Sequence, residues 1–320
     1  MDYARSGVDL EKLRVIHQVI SELVKGDEST VLGVGHYAGV LRYGNLNLAI
    51  HTDGVGTKTL LAMRTGRIRN TGVDCVAMNV NDIVSIGARP LALVDYLAMD
   101  SPSEEVVRQV IEGILKGADE GLVKLMGGET AVMPDVVNGY DLACTVIGVA
   151  EQLKTGGEVK PGDLLIGLSS SGPHSNGFSL IRKLIDQGKL SLKDYEEELL
   201  RPTRIYVKAV LQVLKEVKAA AHITGGTFSK LRRVTRYMID IVMPEPPQVF
   251  KAIESAGVPH HEMYRVFNMG VGMILFVSPE NKQEVMDTLQ KYIEAWEIGV
   301  IREGSGIKVT TYKGEKLNFV

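Results

Sequence analysis

The chain has 320 residues, of which 45% are hydrophobic and 23% charged, and this is the composition of a soluble globular protein with room for two domains. A formal net charge of -3 excludes a strongly basic surface and argues against nucleic acid or an anionic membrane as the main partner. No apolar run reaches the roughly 18 residues that a membrane span needs, and the first ten residues lack the apolar core of a signal peptide.

The first half alternates between helical and strand patterns. Apolar residues recur at helical spacing from Leu10 to Val24, after Asp9 as a possible N-cap. A second helix is predicted in the segment 101–122, where Ser101 and Glu104 have capping-box spacing. Short β-branched and aliphatic runs predict strands, at 46–50, 91–99 and 143–150.

A polar segment rich in Gly and Pro, residues 152–163, is the best candidate for a domain junction. Beyond it the pattern restarts. Strands are predicted at 164–168 and 273–277, and helices near 177–187, 203–217, 246–256 and 280–292. We therefore expect an α/β (α+β) protein with two domains, residues 1–155 and 156–320.

The two cysteines, Cys75 and Cys144, lie in apolar segments without a C-x-x-C motif. This argues against a disulfide framework and fits a reducing, cytoplasmic location. Neither has a polar setting that would activate a thiol. The adjacent His260 and His261 do not have zinc-binding spacing, because neighbouring side chains point in different directions, and a structural or substrate-contacting role is favoured.

The segment IHTDGVGTK combines an aspartate, two glycines and a lysine. A strand is predicted to end at Thr52 and to deliver Asp53 to an edge, where Gly54 and Gly56 expose backbone amides. A carboxylate beside a phosphate turn is explained if Mg²⁺ lies between the two, with Lys58 balancing the remaining charge. The alternative is a glycine turn in which Asp53 only caps a helix that starts near Lys58.

Other polar residues interrupt apolar runs in the same half. They are Asn79, Asn81 and Asp82, whose burial among aliphatic residues calls for a cation or dense hydrogen bonding. Gly127 to Thr130 predict a strand end that opens into an anion- or metal-facing turn. Three acidic residues at such places, Asp53, Asp82 and Glu129, favour a metal–nucleotide site.

In the second half, SSSGPHSNG precedes a predicted helix, whose N-terminus offers free amides to a phosphate. His174 could add a charge-assisted contact or act as an acid. The alternative is that Ser175 or Asn176 simply caps the helix. The loop HITGG, with Thr224, Gly225 and Gly226, invites the same phosphate-binding interpretation.

Taken in order, TDGVGTK, VNDIVSIGARPL, GGETAVMP, SSGPHSNGFSLIRK, RPTRIYVK, HITGG and HHEMYRVFNMGVGM closely resemble the phosphoribosylformylglycinamidine cyclo-ligase family of purine biosynthesis. The resemblance extends from about Tyr3 into the last third of the chain. One departure is Thr227, where many relatives have a third glycine, and another is the stretch 33–45, which leaves the role of His36 and Tyr37 open.

The resemblance implies a homodimer in which the N-terminal sheets of two copies form a barrel. It implies ATP-dependent closure of formylglycinamidine ribonucleotide to aminoimidazole ribonucleotide, with phosphorylation of the amide oxygen before the nitrogen attacks. Matching motif positions give catalytic residues Asp53, Lys58, Asp82 and His174, and Mg²⁺ ligands Asp53, Asp82 and Glu129. ATP would contact Asp53, Gly54, Gly56, Thr57, Lys58, Asp82, Gly128 and Glu129, and the substrate Ser171, Gly172, His174, Ser175, Asn176, Gly177, Thr224, Gly225 and Gly226.

Sister enzymes of the superfamily are the nearest rivals. The formylglycinamidine synthetase needs a chain about twice as long, the selenophosphate synthetase a reactive cysteine or selenocysteine near its start, and the hydrogenase-maturation protein a C-terminal cysteine. Thiamine-monophosphate kinase lacks SSGPHSNG and HHEMYR. An inactive nucleotide-binding regulator is the alternative from another class, which the acidic set Asp53, Asp82 and Glu129 disfavours.

Overall fold

The computed structural model describes residues 10–319, which form helices and strands in both halves of the chain. The helices are α1 Leu10–Leu23, α2 Lys58–Thr65, α3 Ile68–Ser85, α4 Glu104–Glu120, α5 Phe178–Asp186, α6 Leu192–Leu200, α7 Val207–Val213, α8 Gln248–Ser255, α9 His260–Val266 and α10 Lys282–Leu289, with 3₁₀ turns at Thr227–Arg233 and Pro279–Asn281. The strands are β1 Thr30–Leu32, β2 Gly39–Tyr43, β3 Leu46–Gly54, β4 Arg89–Met99, β5 Lys124–Val132, β6 Tyr140–Ala150, β7 Leu164–Ser169, β8 Val217–His222, β9 Met238–Val242, β10 Val271–Val277, β11 Ala295–Arg302, β12 Gly306–Thr310 and β13 Lys316–Phe319.

Each half builds its own sheet. In the first sheet the strand order is β1-β2-β3-β6-β4-β5, and only the β4–β5 pair is parallel. In the second sheet the order is β13-β12-β9-β11-β7-β10-β8, with one parallel pair, β9 and β12. The predicted mixed α/β class is confirmed. Lys154 still bonds to Ile86 of the first half, whereas Thr155 bridges to Ala219 of the second.

Helix α3 is the central element of the molecule. From Thr71 to Ser85 every residue is buried, because the helix contacts β3 and β6 on one side, α4 on another and β8 and α7 of the second half. Its contact with α4 depends on Gly72, where an added Cβ would lie 2.3 Å from the carbonyl oxygen of Val110. The polar residues of α3 are therefore held between the two halves.

The other face of the first sheet is uncovered. Its outward side chains form an apolar surface, which we call the open sheet face and which consists of Leu41, Ile50, Leu91, Val94, Tyr96 and Ile147, each between 38% and 49% exposed. Cross-strand pairing places Ile50 opposite Ile147. A contiguous apolar surface of this kind marks an interaction site.

Three local predictions are wrong in detail. Helix α4 is capped by Ser103, whose side chain accepts from Val106 N–H, and Ser101 lies outside it. Strand β5 continues from Lys124 to Val132 with an irregularity between Leu125 and Gly128, so that Gly128 to Thr130 are paired strand residues. Strand β3 continues to Gly54, two residues beyond Thr52.

The cysteine prediction is also wrong. Cys75 on α3 and Cys144 on β6 form a disulfide with an S–S distance of 2.32 Å. Both residues are buried, and the bond joins the central helix to the sheet beneath it. The sequence separation of 69 residues hides this proximity, which arises only when α3 packs on the sheet. Within residues 10–319, no helix has the length and apolar content to cross a membrane.

Candidate active site between the two domains

Two carboxylates mark the cleft between the halves. Asp53 lies near the end of β3, where its Oδ1 accepts from Gly54 N–H at 2.8 Å. Asn79 of α3 donates to the carbonyl oxygen of Asp53 at 3.1 Å and so ties the helix to this strand end. Helix α2 begins at Lys58 without a side-chain cap, so the alternative in which Asp53 caps that helix is not supported.

Two histidines lie against Asp82, and one of them is hydrogen-bonded to it. His222, the last residue of β8, places Nδ1 at 2.7 Å from Asp82 Oδ1, and the ring donates to the carboxylate. His51 Nε2 lies 3.4 Å from Asp82 Oδ2, without the geometry of a hydrogen bond. His51 and Asp53 are two residues apart in β3 and therefore lie on the same face of the strand.

Burial and the neighbouring charges shift the pKa values of the two carboxyl groups in opposite directions. Burial raises the pKa of Asp53, and the negative charge of Asp82 raises it further. Burial also acts to raise the pKa of Asp82, but the hydrogen bond from His222 and the positive charges nearby outweigh it, and the pKa of Asp82 is lowered. A divalent cation would remove the repulsion between the two carboxylates.

This donor set fits Mg²⁺ bound together with phosphate oxygens, because that ion uses one or two carboxylates and completes its shell from substrate and water. The described residues contain no group of three or more acidic, His or Cys ligands that could hold a metal by themselves. A buried Asn79 Oδ1 without a partner lies beside Asp53 and is a further oxygen donor. The pair is therefore suited to a metal that arrives with a nucleotide.

Glu129 does not join this pair within one chain. Asp53 is in register with Cys144, Asp95 and Gly128 across the sheet, so Glu129 lies one position on and three strands away, roughly 14 Å. Alternation also points it to the opposite face, and its side chain is exposed. Within one chain Glu129 therefore lies too far from Asp53 to share a metal ion with it. Gly128 makes room for Asp95, whose Oδ1 would lie 2.3 Å from an added Cβ.

Lys58 is fully buried, and it faces away from the cleft carboxylates. Its Nζ lies 2.9 Å and 2.8 Å from the two carboxylate oxygens of Asp74 on α3. It also donates to the carbonyl oxygens of His174 and Arg201 in the second half, at 2.8 and 3.0 Å. Asp74 accepts in turn from Thr203 N–H and Oγ1. This geometry is that of an interdomain clamp and does not fit the predicted phosphate contact.

The loop 171–177 wraps around the Lys58 clamp. Ser171 Oγ donates to the carbonyl oxygen of Pro202 at 2.6 Å, and Ser175 Oγ is bonded to Thr203 Oγ1 at 3.1 Å. Neither Ser175 nor Asn176 caps α5, since that helix starts after Gly177 without a side-chain cap. An added Cβ on Gly172 would lie 2.6 Å from the carbonyl oxygen of Glu198, so the close approach of the loop to Glu198 requires glycine at this position.

His174 is buried and uncharged. Its Nε2 accepts from Ser171 N–H at 3.2 Å, which places the proton of the neutral ring on Nδ1. Burial, followed by the positive charges of His222, Lys58 and Arg204, holds the pKa of His174 well below its usual range. The predicted charge-assisted contact does not fit a ring that stays neutral.

The two loops predicted to bind substrate do converge. Asn176 Oδ1 lies 3.3 Å from the Cβ position of Gly225. The turn 224–227 is closed by a bond from Thr227 N–H to the Thr224 carbonyl oxygen, with Gly226 at a φ of 81°. Thr227 itself has a φ of 40° and donates through Oγ1 to the carbonyl oxygen of Tyr264.

The first turn of the cleft, Gly54 to Thr57, borders a cavity of about 400 Å³. Gly56 and Thr57 form part of its wall, together with apolar and aromatic side chains that include Leu60, Tyr96 and Val137. Thr57 Oγ1 is bonded to Ser179 Oγ of α5 across the domain boundary, at 3.2 Å.

Sequence reasoning missed three cleft residues, His51, His222 and Lys230. The signal for His51 was present, because a residue two positions before Asp53 in a strand shares its face. His222 and Lys230 flank the recognised HITGG loop, but their direction toward Asp82 depends on how the second domain docks. His260, for which a structural or substrate-contacting role is expected, is bonded to Glu254 at 2.8 Å.

Comparisons with known proteins agree with this architecture. Residues 35–150 match the family model for the AIR synthase related protein, N-terminal domain, and residues 160–311 match that for the C-terminal domain. The chain is 56% identical to the phosphoribosylformylglycinamidine cyclo-ligase of Saccharolobus solfataricus over 99% of its length and 98% of that protein. It is 49% identical to that of Pyrococcus furiosus, over 98% of each. The structure of AaThiL complexed with AMPPCP and TMP shares the fold, with a TM-score of 0.68 and 17% identity over 97% of this chain and 94% of the other.

Proposed function

The chain belongs to the AIR synthase related family and has the cyclo-ligase activity of its close relatives, and we propose that Asp53 and Asp82 hold the Mg–ATP that drives it. The reaction closes the imidazole ring of aminoimidazole ribonucleotide from formylglycinamidine ribonucleotide and releases ADP and phosphate. The observation that supports the proposal is the carboxylate pair at the domain boundary. The pKa values of the two groups shift in opposite directions, and among the described residues no third acidic, His or Cys ligand joins them.

Phosphoryl transfer requires positioning and positive charge more than a covalent nucleophile. When bound, ATP supplies the phosphoryl group that turns the formyl-amide oxygen into a leaving group, and Mg²⁺ neutralises charge on the phosphates. Asp53 and Asp82 would hold the metal, and His222 fixes the orientation of Asp82. Such a second partner tightens a metal site because it restricts the ligand to one rotamer.

The cavity beside Gly56 and Thr57 is the proposed place of the nucleotide base. It is lined mainly by aliphatic and aromatic side chains, as expected for a flat heterocycle, and small-molecule sites of this type have volumes of about 300–1,000 Å³. It lies next to the turn that begins at Asp53, so that a base held there would direct its phosphates toward the carboxylates.

The converging loops 171–177 and 224–226 are the proposed binding region of the substrate. Asn176 and Gly225 are in contact range, and both loops offer backbone amides and small residues to a ribose phosphate. In this account His174 serves as a neutral, buried support of its loop, and Lys58 joins the two domains around Asp74.

The proposed assembly is a homodimer joined through the open sheet face. Six large apolar side chains lie exposed on this one face, and a second copy of the same face would cover them symmetrically. Glu129 also projects from this side of the sheet, so any role at a metal site would involve a partner chain. A cytoplasmic location remains a prediction.

Turnover tests the proposal directly. Phosphate release from Mg–ATP is measured with and without formylglycinamidine ribonucleotide, and aminoimidazole ribonucleotide is followed in parallel. We expect equal amounts of phosphate and imidazole product, both dependent on the substrate and on Mg²⁺. Phosphate release that ignores the substrate, or imidazole formation without ATP, would contradict it. Asp53→Asn should lower turnover at least ~100-fold, whereas the exposed Asp135→Asn is the matched control.

A further inference from the structure

Lys58 was the expected source of positive charge for the phosphates, but it is fully occupied elsewhere. Both oxygens of Asp74 and two backbone carbonyls surround its Nζ. The cleft that contains Asp53 and Asp82 must therefore obtain its positive charge from another residue, because phosphoryl transfer needs a cation besides the metal.

Lys230 of the second domain can supply this charge. It lies in the 3₁₀ turn Thr227–Arg233 of the second domain, and its Nζ donates to Thr224 Oγ1 at 2.7 Å. Burial lowers the pKa of Lys230, and the charges of Asp82 and Asp53 act on it in the opposite direction. His222, two residues before Thr224 in the same segment, is bonded to Asp82 at 2.7 Å, so this segment also holds the Lys230 ammonium near the carboxylate pair.

Its coordination is incomplete. Among residues 10–319, no carboxylate oxygen lies within ion-pair distance of Lys230 Nζ, and its hydrogen-bond partner is the hydroxyl of Thr224. An ammonium has three N–H donors, and a partly buried one is costly when they are unused. The remaining donors are available to an anionic oxygen between Lys230 and the carboxylate pair.

Neighbouring residues include buried polar atoms without partners, and Arg233 donates to the carbonyl oxygen of His36 at 3.4 Å. Arg233, in the same turn, lies 5.4 Å from the ring centre of Tyr37 and its positive charge lowers the pKa of Lys230 further. The hydroxyl of Tyr37, which is 1% exposed, and both ring nitrogens of His36 are buried without a hydrogen-bond partner. Several buried polar atoms without partners in one place indicate a surface that contacts a ligand.

We propose that Lys230 binds the phosphoryl oxygens of the triphosphate held by Asp53 and Asp82, with Arg233, Tyr37 and His36 forming the wall behind it. The inference rests on the proposed function and names the cation of the same site. A metal–triphosphate keeps net negative charge, and two cations of the second domain opposite two carboxylates of the first balance it. Because Lys230 and the carboxylates belong to different domains, the phosphates also join the two domains.

The experiment compares nucleotide binding by Lys230→Gln, Lys230→Arg and the exposed control Lys208→Gln, by calorimetry with Mg²⁺. We expect Lys230→Gln to weaken binding of the triphosphate analogue AMPPCP at least tenfold and that of AMP less than twofold, since AMP lacks the outer phosphates. Lys230→Arg should retain AMPPCP binding within about threefold, and Lys208→Gln should match the unmodified chain. Unchanged AMPPCP binding by Lys230→Gln would overturn the inference.

A second measurement needs no variant. An amine-reactive reagent is applied to the unmodified protein, and labelling at Lys230 and Lys208 is quantified by mass spectrometry. Mg–AMPPCP should protect Lys230 and leave Lys208 unprotected, and AMP should protect neither. Equal labelling of Lys230 with and without AMPPCP would overturn the inference. If the unmodified protein turns over substrate, such a failure leaves the proposed function standing; if it neither binds AMPPCP nor releases phosphate, both fail together.

Discussion

Replacing Lys58 by methionine separates a structural from a catalytic role for this residue. The substitution keeps the length of the side chain and removes the cation from a fully buried pair with Asp74. Loss of one partner of a buried ion pair costs about 3–5 kcal/mol because the other charge remains buried and uncompensated. Thr203 still donates twice to Asp74, at 2.7 and 2.6 Å, and this moderates the cost.

Two further bonds are lost in the same variant. The carbonyl oxygens of His174 and Arg201 each lose the Lys58 donor, and a buried acceptor left unsatisfied costs about 1–3 kcal/mol. The two remaining bonds from Thr203 offset part of these losses, and we expect the free energy of unfolding of Lys58→Met to fall by about 5 kcal/mol or more. Urea denaturation followed by the fluorescence of the single tryptophan, Trp296, measures it, with Lys208→Met as the control.

The affinity for nucleotide distinguishes a structural role of Lys58 from a phosphate-binding role. Under conditions where the variant is folded, the dissociation constant for AMPPCP should change less than about threefold, because Lys58 does not contact the phosphates in this account. The double variant Lys58→Met/Asp74→Asn should be more stable than Lys58→Met alone, since the unpaired charge is gone. A Lys58→Met protein of normal stability that binds AMPPCP tenfold more weakly would refute the reasoning and return Lys58 to the phosphate site.

Three other outcomes follow from the fold. Replacing Cys75 and Cys144 together by alanine should lower the free energy of unfolding by about 4 kcal/mol, from a loop of 69 residues; denaturation curves that coincide with those of the unmodified protein would exclude the disulfide. Thr227→Ala should lose about 1–3 kcal/mol with its bond to the Tyr264 carbonyl, and Thr227→Gly should lose less because the positive φ is then unstrained; equal urea midpoints for the two variants would contradict this. Ile147→Glu should convert a dimer into a monomer in light scattering, and a monomeric parent protein would contradict the proposed interface.

Much of the architecture could be predicted from local patterns. The strands around Leu46, Leu93 and Val146 appear as continuous β-branched and aliphatic runs and are predicted as strands, and they form the centre of the first sheet. The Asp53 turn was recognised because a carboxylate and two glycines follow such a run directly. These features depend on residues close together in the chain.

The errors concern contacts between distant elements. Lys58 and Asp74 are close because α2 packs on α3 and both meet the second domain, which no local spacing specifies. Glu129 was assigned to a turn because two glycines precede it, but Gly128 is required inside β5 by the side chain of Asp95. Cys144 lies under α3 for the same tertiary reason. Sequence patterns described each element, and docking of the elements decided which polar groups meet.

Asp53 and Asp82 are proposed to bind the metal together with the nucleotide, and the dependence of metal binding on nucleotide can be measured directly. Mn²⁺, used in place of Mg²⁺, is titrated into the protein and followed by electron paramagnetic resonance, with and without AMPPCP. Two carboxylates without a third acidic, His or Cys ligand predict weak binding of the ion alone, at least tenfold tighter binding with AMPPCP, and loss of this gain in Asp82→Asn. Tight binding of Mn²⁺ without the nucleotide, or an undiminished gain in Asp82→Asn, would contradict the account.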